Sequence, residues 1–120
     1  MKIIYENKVK SLGASVNDFQ DSGMFILFGD SAPDTLKDFC YSIDVLPING
    51  EIKVGQKAII DGEEFVITAV GDLAMRNLEN LGHVTFAFDG STEAELPGTI
   101  YVEAKLMPSL NVGSTIQIVE

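Results

Sequence analysis

Tryptophan is absent, and histidine and cysteine each occur once in 120 residues. A lone cysteine, Cys40, cannot close an internal disulfide, which fits a reducing compartment. One histidine and one cysteine cannot supply the four nitrogen and sulfur ligands of a structural zinc site. Basic residues are scarce too: 8 Lys+Arg stand against 18 Asp+Glu, a formal charge of −10. Such a surface repels phosphate backbones, and no basic stripe offsets it, so nucleic acid is excluded as a partner. Long apolar runs are missing as well. Met24-Phe25-Ile26-Leu27-Phe28 falls far short of the roughly 20 residues that span a bilayer. The opening Met-Lys-Ile-Ile-Tyr-Glu-Asn-Lys lacks the apolar core of about 7–15 residues that a secretory signal needs. The expectation is a soluble, cytoplasmic chain, with residues 1–120 forming a single domain.

Catalytic signatures are equally thin. The glycine spacing contains no G-x-G of a dinucleotide fold, no phosphate-binding P-loop and no G-x-S-x-G nucleophile elbow. Asn17, Asp18 and Asp21 lack calcium-loop spacing and read as a solvated turn. The acidic pairs Glu63/Glu64 and Glu93/Glu95 flank turns, where solvated carboxylates are expected, so a glycosidase couple is set aside. Nothing calls for a metal or a cofactor.

What is present is a β pattern. With 46% hydrophobic and 22% charged residues, the chain can build a core. Val84, Phe86 and Phe88 alternate with His83, Thr85 and Ala87; Ile100 and Val102 alternate with Thr99, Tyr101 and Glu103; Ile116 and Ile118 alternate with Thr115 and Gln117. These apolar positions, with Phe65 and Ile67, are expected in the core. Asp61-Gly62 predicts a two-residue hairpin turn, and Asp89-Gly90 and Pro97-Gly98 punctuate later strands. Many short strands without long helices predict an all-β, barrel-like fold of short antiparallel strands with one or two short helices. One helix is expected over 73–81, capped by Asp72, with Ala74, Leu78 and Leu81 on one face and Gly82 closing it in a left-handed conformation. A second is expected near Ser31-Ala32-Pro33-Asp34, with Leu36 and Phe39 as its apolar side.

His83 is the one side chain that titrates near neutral pH without perturbation. Beside the Thr85 hydroxyl, a neutral imidazole could accept and release a phosphoryl group. The residues alone favour instead a structural histidine bonding the carbonyls of residues 78–81 at the helix end, where the partial negative charge disfavours an attached dianion. Cys40, between Phe39 and Tyr41, reads as buried and inert.

The run Thr68-Ala69-Val70-Gly71, then Asn77-Leu78, Leu81-Gly82-His83-Val84-Thr85 and Phe88-Asp89-Gly90, resembles the IIA component of the glucitol/sorbitol phosphotransferase system. Gly13-Ala14-Ser15, Glu93-Ala94-Glu95 and Pro97-Gly98-Thr99 belong to the same likeness, which covers essentially the whole chain. The resemblance implies a barrel-like β fold and a cytoplasmic phosphocarrier of sugar uptake. Such a carrier takes phosphate from the phosphohistidine of HPr and hands it to the IIB part of a IIB/IIC sugar permease, with no cofactor. It also implies a phosphorylated histidine just after the Cys-aromatic pair that matches Cys40-Tyr41. Here that position is Ile43, within Ser42-Ile43-Asp44-Val45. Two readings follow: His83 is the phosphoryl acceptor, supported by Thr85, or the chain is a non-catalytic docking relative that keeps the fold without the transfer.

Overall fold

A computed structural model describes residues 2–120, apart from the side chains of Phe19, Gln20 and Asp21. Nine strands and two short helices follow one another: β1 (Ile3–Lys8), β2 (Ser11–Leu12), β3 (Met24–Phe28), α1 (Asp34–Lys37), β4 (Cys40–Ser42), β5 (Lys57–Ile60), β6 (Glu63–Val70), α2 (Ala74–Leu81), β7 (Val84–Ala87), β8 (Thr99–Val102) and β9 (Thr115–Val119). A 3₁₀ segment, Val16–Ser22, precedes β3. Hydrogen-bonded neighbours run in the order β1-β9-β5-β6-β8-β7-β3-β4-β2. The sheet folds over itself as a barrel-like sandwich and does not close.

All nine residues assigned to the core by alternation lie inside it: Phe65, Ile67, Val84, Phe86, Phe88, Ile100, Val102, Ile116 and Ile118. The Asp61-Gly62 turn joins β5 to β6, with φ of +50° and +85°, as a hairpin with primed-turn geometry needs. The Asp61 carboxylate then accepts from Ser114 Oγ at 2.8 Å and from Thr115 N–H at 2.9 Å, which ties the turn to β9. Most pairs are antiparallel, but β3 with β4 and β7 with β8 run parallel. Local alternation carries no information about a strand's direction relative to its partner.

The long strand β6 pairs with β5 through residues 63–66 and with β8 through residues 67–70. Its register slips between Ile67 and Ala69. A bulge inverts the side-chain alternation, so Ile67 faces the main core while Ala69 joins a second cluster with Ala87 and Tyr101. Tyr101 and Ala87, which alternation sets opposite the apolar positions, are therefore buried as well. Leu96 N–H donates to the Tyr101 hydroxyl at 3.0 Å, so the loop before β8 covers that ring.

Candidate functional site

The end of α2 sets up the site. Ala74 and Leu78 are fully buried, but Leu81 is 40% exposed, so the apolar face is narrower than its spacing suggested. Asp72 does not cap the helix: Leu73 occupies the N-cap with no side-chain hydrogen bond, and the Ala74 N–H goes to Gly71 O at 3.1 Å. The far end is as expected, with Gly82 left-handed at φ +68°, ψ +16°. Its N–H returns to Leu78 O at 2.9 Å, and the His83 N–H reaches Asn77 O at 3.1 Å. A third carbonyl of this last turn, Leu81 O, accepts from Gly29 N–H at 2.9 Å. Main-chain donors thus take three carbonyls of the helix end, and the imidazole does not bond there. That removes the structural role considered for the ring, and the paired carbonyls lessen the negative field that opposed an anion.

The backbone of Gly29 passes directly against this turn. A Cβ on Gly29 would stand 2.6 Å from Leu81 O, and one on Gly82 would stand 2.9 Å from Gly29 N. The close approach brings the end of β3 beside the start of β7. These strands are antiparallel with Leu27 opposite Val84, so Phe28 falls opposite His83. The two rings stack with centroids 4.1 Å apart and planes 15° from parallel. By period 2, Phe28 belongs to the outward set of β3 with Met24 and Ile26, yet it is only 5% exposed. The imidazole is part of what covers it. No sequence signal marks this pair, because it exists only once the register of two distant strands is known.

His83 itself is half-buried. Desolvation holds its pKa below the ordinary value near 6.5, so the ring is neutral at pH 7 and keeps a nitrogen lone pair. Among the described residues, neither ring nitrogen has a hydrogen-bond partner. Among the described residues no buried side-chain nitrogen or oxygen is left unpaired, so both nitrogens reach solvent. Thr85 lies two residues on, half-buried. Its N–H donates to Gly98 O at 3.2 Å, but its hydroxyl makes no hydrogen bond to the imidazole. Alternation gives the two side chains a common face.

Ile43 is fully buried. Its N–H donates to Phe28 O at 3.0 Å, and its Cγ1 lies 3.5 Å from where a Cβ on Gly82 would stand. The position that the resemblance marks for phosphate is therefore a packed aliphatic beneath the His83 turn. Lys10 Nζ bridges Asp30 at 3.2 Å and Asp44 at 3.0 Å, tying together the segments that follow Phe28 and Ile43. Both partners, Asp44 before Asp30, hold the ammonium above its usual pKa.

A cavity of about 280 Å³ opens on the side of Phe28 and Gly29, bounded also by Ser11, Gly13, Cys40 and Ser42. Cys40 is 4% exposed, and its Sγ–H donates to Leu36 O at 3.1 Å. Burial pushes the thiol up from 9.0 to about 11. Native protein at neutral pH is accordingly expected to react with a thiol reagent about a hundredfold more slowly than a free cysteine, since only thiolate attacks. Stopped-flow labelling with and without denaturant measures this, and equal rates would refute the burial argument. The short helix α1 buries none of its own residues and leaves Leu36 43% exposed, against the expectation of a packed apolar side.

Glu63, Glu64, Glu93 and Glu95 are all exposed, and Glu64 pairs with Lys57 at 2.9 Å. Asn17 and Asp18 are exposed in the 3₁₀ segment; the Asp21 side chain lies outside the described residues. Among the described residues no cluster of His, Cys, Asp and Glu could hold a metal ion. No helix among them is long and apolar enough to cross a membrane.

The family profile described as the PTS system glucitol/sorbitol-specific IIA component matches residues 4–117. The glucitol/sorbitol-specific EIIA components of Shigella flexneri and Escherichia coli (strain K12) are each 34% identical over 117 residues, covering 98% of this chain and 95% of theirs. The crystal structure of a PTS system IIA component from Enterococcus faecalis V583 superposes with a TM-score of 0.82 at 25% identity, over 97% of this chain and 100% of that one. The folded-over β sheet, the turn Leu81-Gly82-His83 and these whole-length matches lead to one assignment: the chain belongs to the glucitol/sorbitol-specific IIA component family of the phosphotransferase system.

Proposed function

We propose that residues 1–120 act as one cytoplasmic IIA unit, a phosphocarrier that accepts phosphate from HPr on His83 and passes it to a IIB component during uptake of a glucitol/sorbitol-type sugar. A lone pair on one imidazole nitrogen of His83 attacks the phosphorus of phospho-HPr. One N–P bond forms as the donor's N–P bond breaks, and the departing imidazole of HPr takes back the electron pair. Exchange between two histidines needs positioning and charge support more than bond-making power, and it needs no metal. The acidic surface suits a partner with basic residues around its own histidine, chiefly by steering encounter. Thr85 supports the phosphate or the ring through an intervening water.

One observation carries this reading: a neutral imidazole, stacked on Phe28, whose nitrogens are unpaired and open to solvent. The second reading, a docking relative without transfer, draws on the full burial of Ile43 at the position that resembles the usual acceptor. Incubation with phosphoenolpyruvate, the general first enzyme and HPr separates the two. Intact mass is expected to rise by one phosphate; no gain would leave the docking reading in place.

A further inference from the structure

We infer that Phe28 is the positioning residue of the His83 centre: its ring, stacked on the imidazole, fixes the plane in which the nitrogen lone pairs point and shields one ring face from water. The inference rests on the proposed role of His83 and adds to it the group that prepares the imidazole.

The stack is a cross-strand pair, not a chance contact. The antiparallel register of β3 and β7 sets Phe28 opposite His83, at a 4.1 Å centroid separation and a 15° interplanar angle. An imidazole free about two side-chain torsions samples many ring planes. One held against a buried phenyl keeps its edge, which carries both nitrogens, in a single orientation. Phe28 is itself held from several sides. Its carbonyl accepts from Ile43 N–H, and the chain after it is fixed by the Gly29–Leu81 hydrogen bond.

The stack also supplies the low-dielectric contact that favours the neutral ring. Charged groups on the surrounding elements do not compete with it. Asp30 and Asp44 are engaged by Lys10, and Glu79 on α2 accepts from Ile48 N–H. Arg76 lies on α2; β3, β4, β7 and β8 carry no charged residue. Burial is the cause of the lowered His83 pKa, with no charge contributing.

Because histidine occurs once, its Cε1–H resonance is an unambiguous reporter. The test compares the native protein with Phe28→Leu and Phe28→Tyr by NMR titration and by the initial rate of phosphate uptake from phospho-HPr. Phe28→Leu is expected to abolish the ring-current shift of that proton, raise the His83 pKa toward about 6.5, and slow uptake by roughly tenfold through lost orientation. Phe28→Tyr, which keeps the stacked ring, is expected to restore all three. An unchanged titration and rate in folded Phe28→Leu would reduce Phe28 to a packing residue and overturn the inference. If Phe28→Leu fails to fold, a Phe28→Tyr spectrum lacking the ring-current shift would overturn it equally. If the native protein takes no phosphate, the carrier reading fails separately. The titration then still decides whether Phe28 sets the state of the ring.

Discussion

Replacing His83 by glutamine is expected to abolish phosphate uptake outright, since the chain has no other histidine. The fold should survive. Among the described residues the imidazole makes no hydrogen bond, so the main loss is the stack on Phe28, worth about 0.5–1.5 kcal/mol. Intact mass after incubation with the phosphate donors checks the first half, and a thermal melt checks the second. Phosphate retained on His83→Gln would move the acceptor elsewhere and defeat the assignment. The same residue predicts a pH response. Its folded pKa is depressed, so the nucleophilic neutral form persists to lower pH than for a free imidazole, and uptake should be flat above about pH 6.5. Stability follows the same sign. Between the two pKa values the unfolded chain binds more protons. The contribution of His83 is thus fully present above the unfolded pKa and declines as pH falls through the folded one.

A large stability effect is expected at Gly29. An alanine there would place its Cβ 2.6 Å from both Leu81 O and Val45 Cγ2. The first of these is a backbone atom already held by a hydrogen bond, so the strand and helix end must separate. About 2–4 kcal/mol should be lost, as for other overpacked sites. Gly82→Ala should come close to it. A Cβ at φ +68° costs around 1 kcal/mol for conformation alone, and the contact with Gly29 N at 2.9 Å adds to that. Urea denaturation of each single variant and the double variant tests the account. Because both substitutions force apart the same two segments, the double variant should lose less than the sum. Strict additivity, or a neutral Gly29→Ala, would show that the two glycines do not share one close approach.

The parts of this fold that were legible in the sequence are those decided within a few residues. Period-2 alternation identified Val84, Phe86, Phe88, Ile100 and Val102 as core, and Asp61-Gly62 as the hairpin turn. Gly82 was legible because a left-handed helix end selects glycine. What stayed hidden depends on partners distant in sequence. The bulge at Ile67–Ala69 turns Tyr101 into a buried residue only because β8 pairs there. The exposure of Leu36 and Leu81 reflects what packs on each helix, which helical spacing does not specify. At the site, chemistry singled out His83 as a titrating side chain, and family resemblance singled out Ile43. Neither could reveal Phe28, since the stack arises from the registry of β3 with β7. Thr85 was legible only as sharing a face with His83, and its hydroxyl makes no direct hydrogen bond to the imidazole.

The pairing of β1 with β9 sets Ile3 against Val119, the two ends of the strand order in time. Of these nine strands β1 emerges first and its partner last, so β1 waits unpaired while the other strands are made. Contacts so far apart in sequence are slow to close, and the mostly non-local sheet places folding in the millisecond-to-second range typical of such topologies. An unpaired strand is also open to the wrong neighbour. In Ile3–Lys8 the sequence sets Glu6 and Lys8 on the exposed positions, where a charge discourages edge-to-edge association. The excess of ten negative charges keeps nascent copies apart during the same interval. The acidity that the proposed function uses to steer a partner thus also guards the chain before it has a structure to dock.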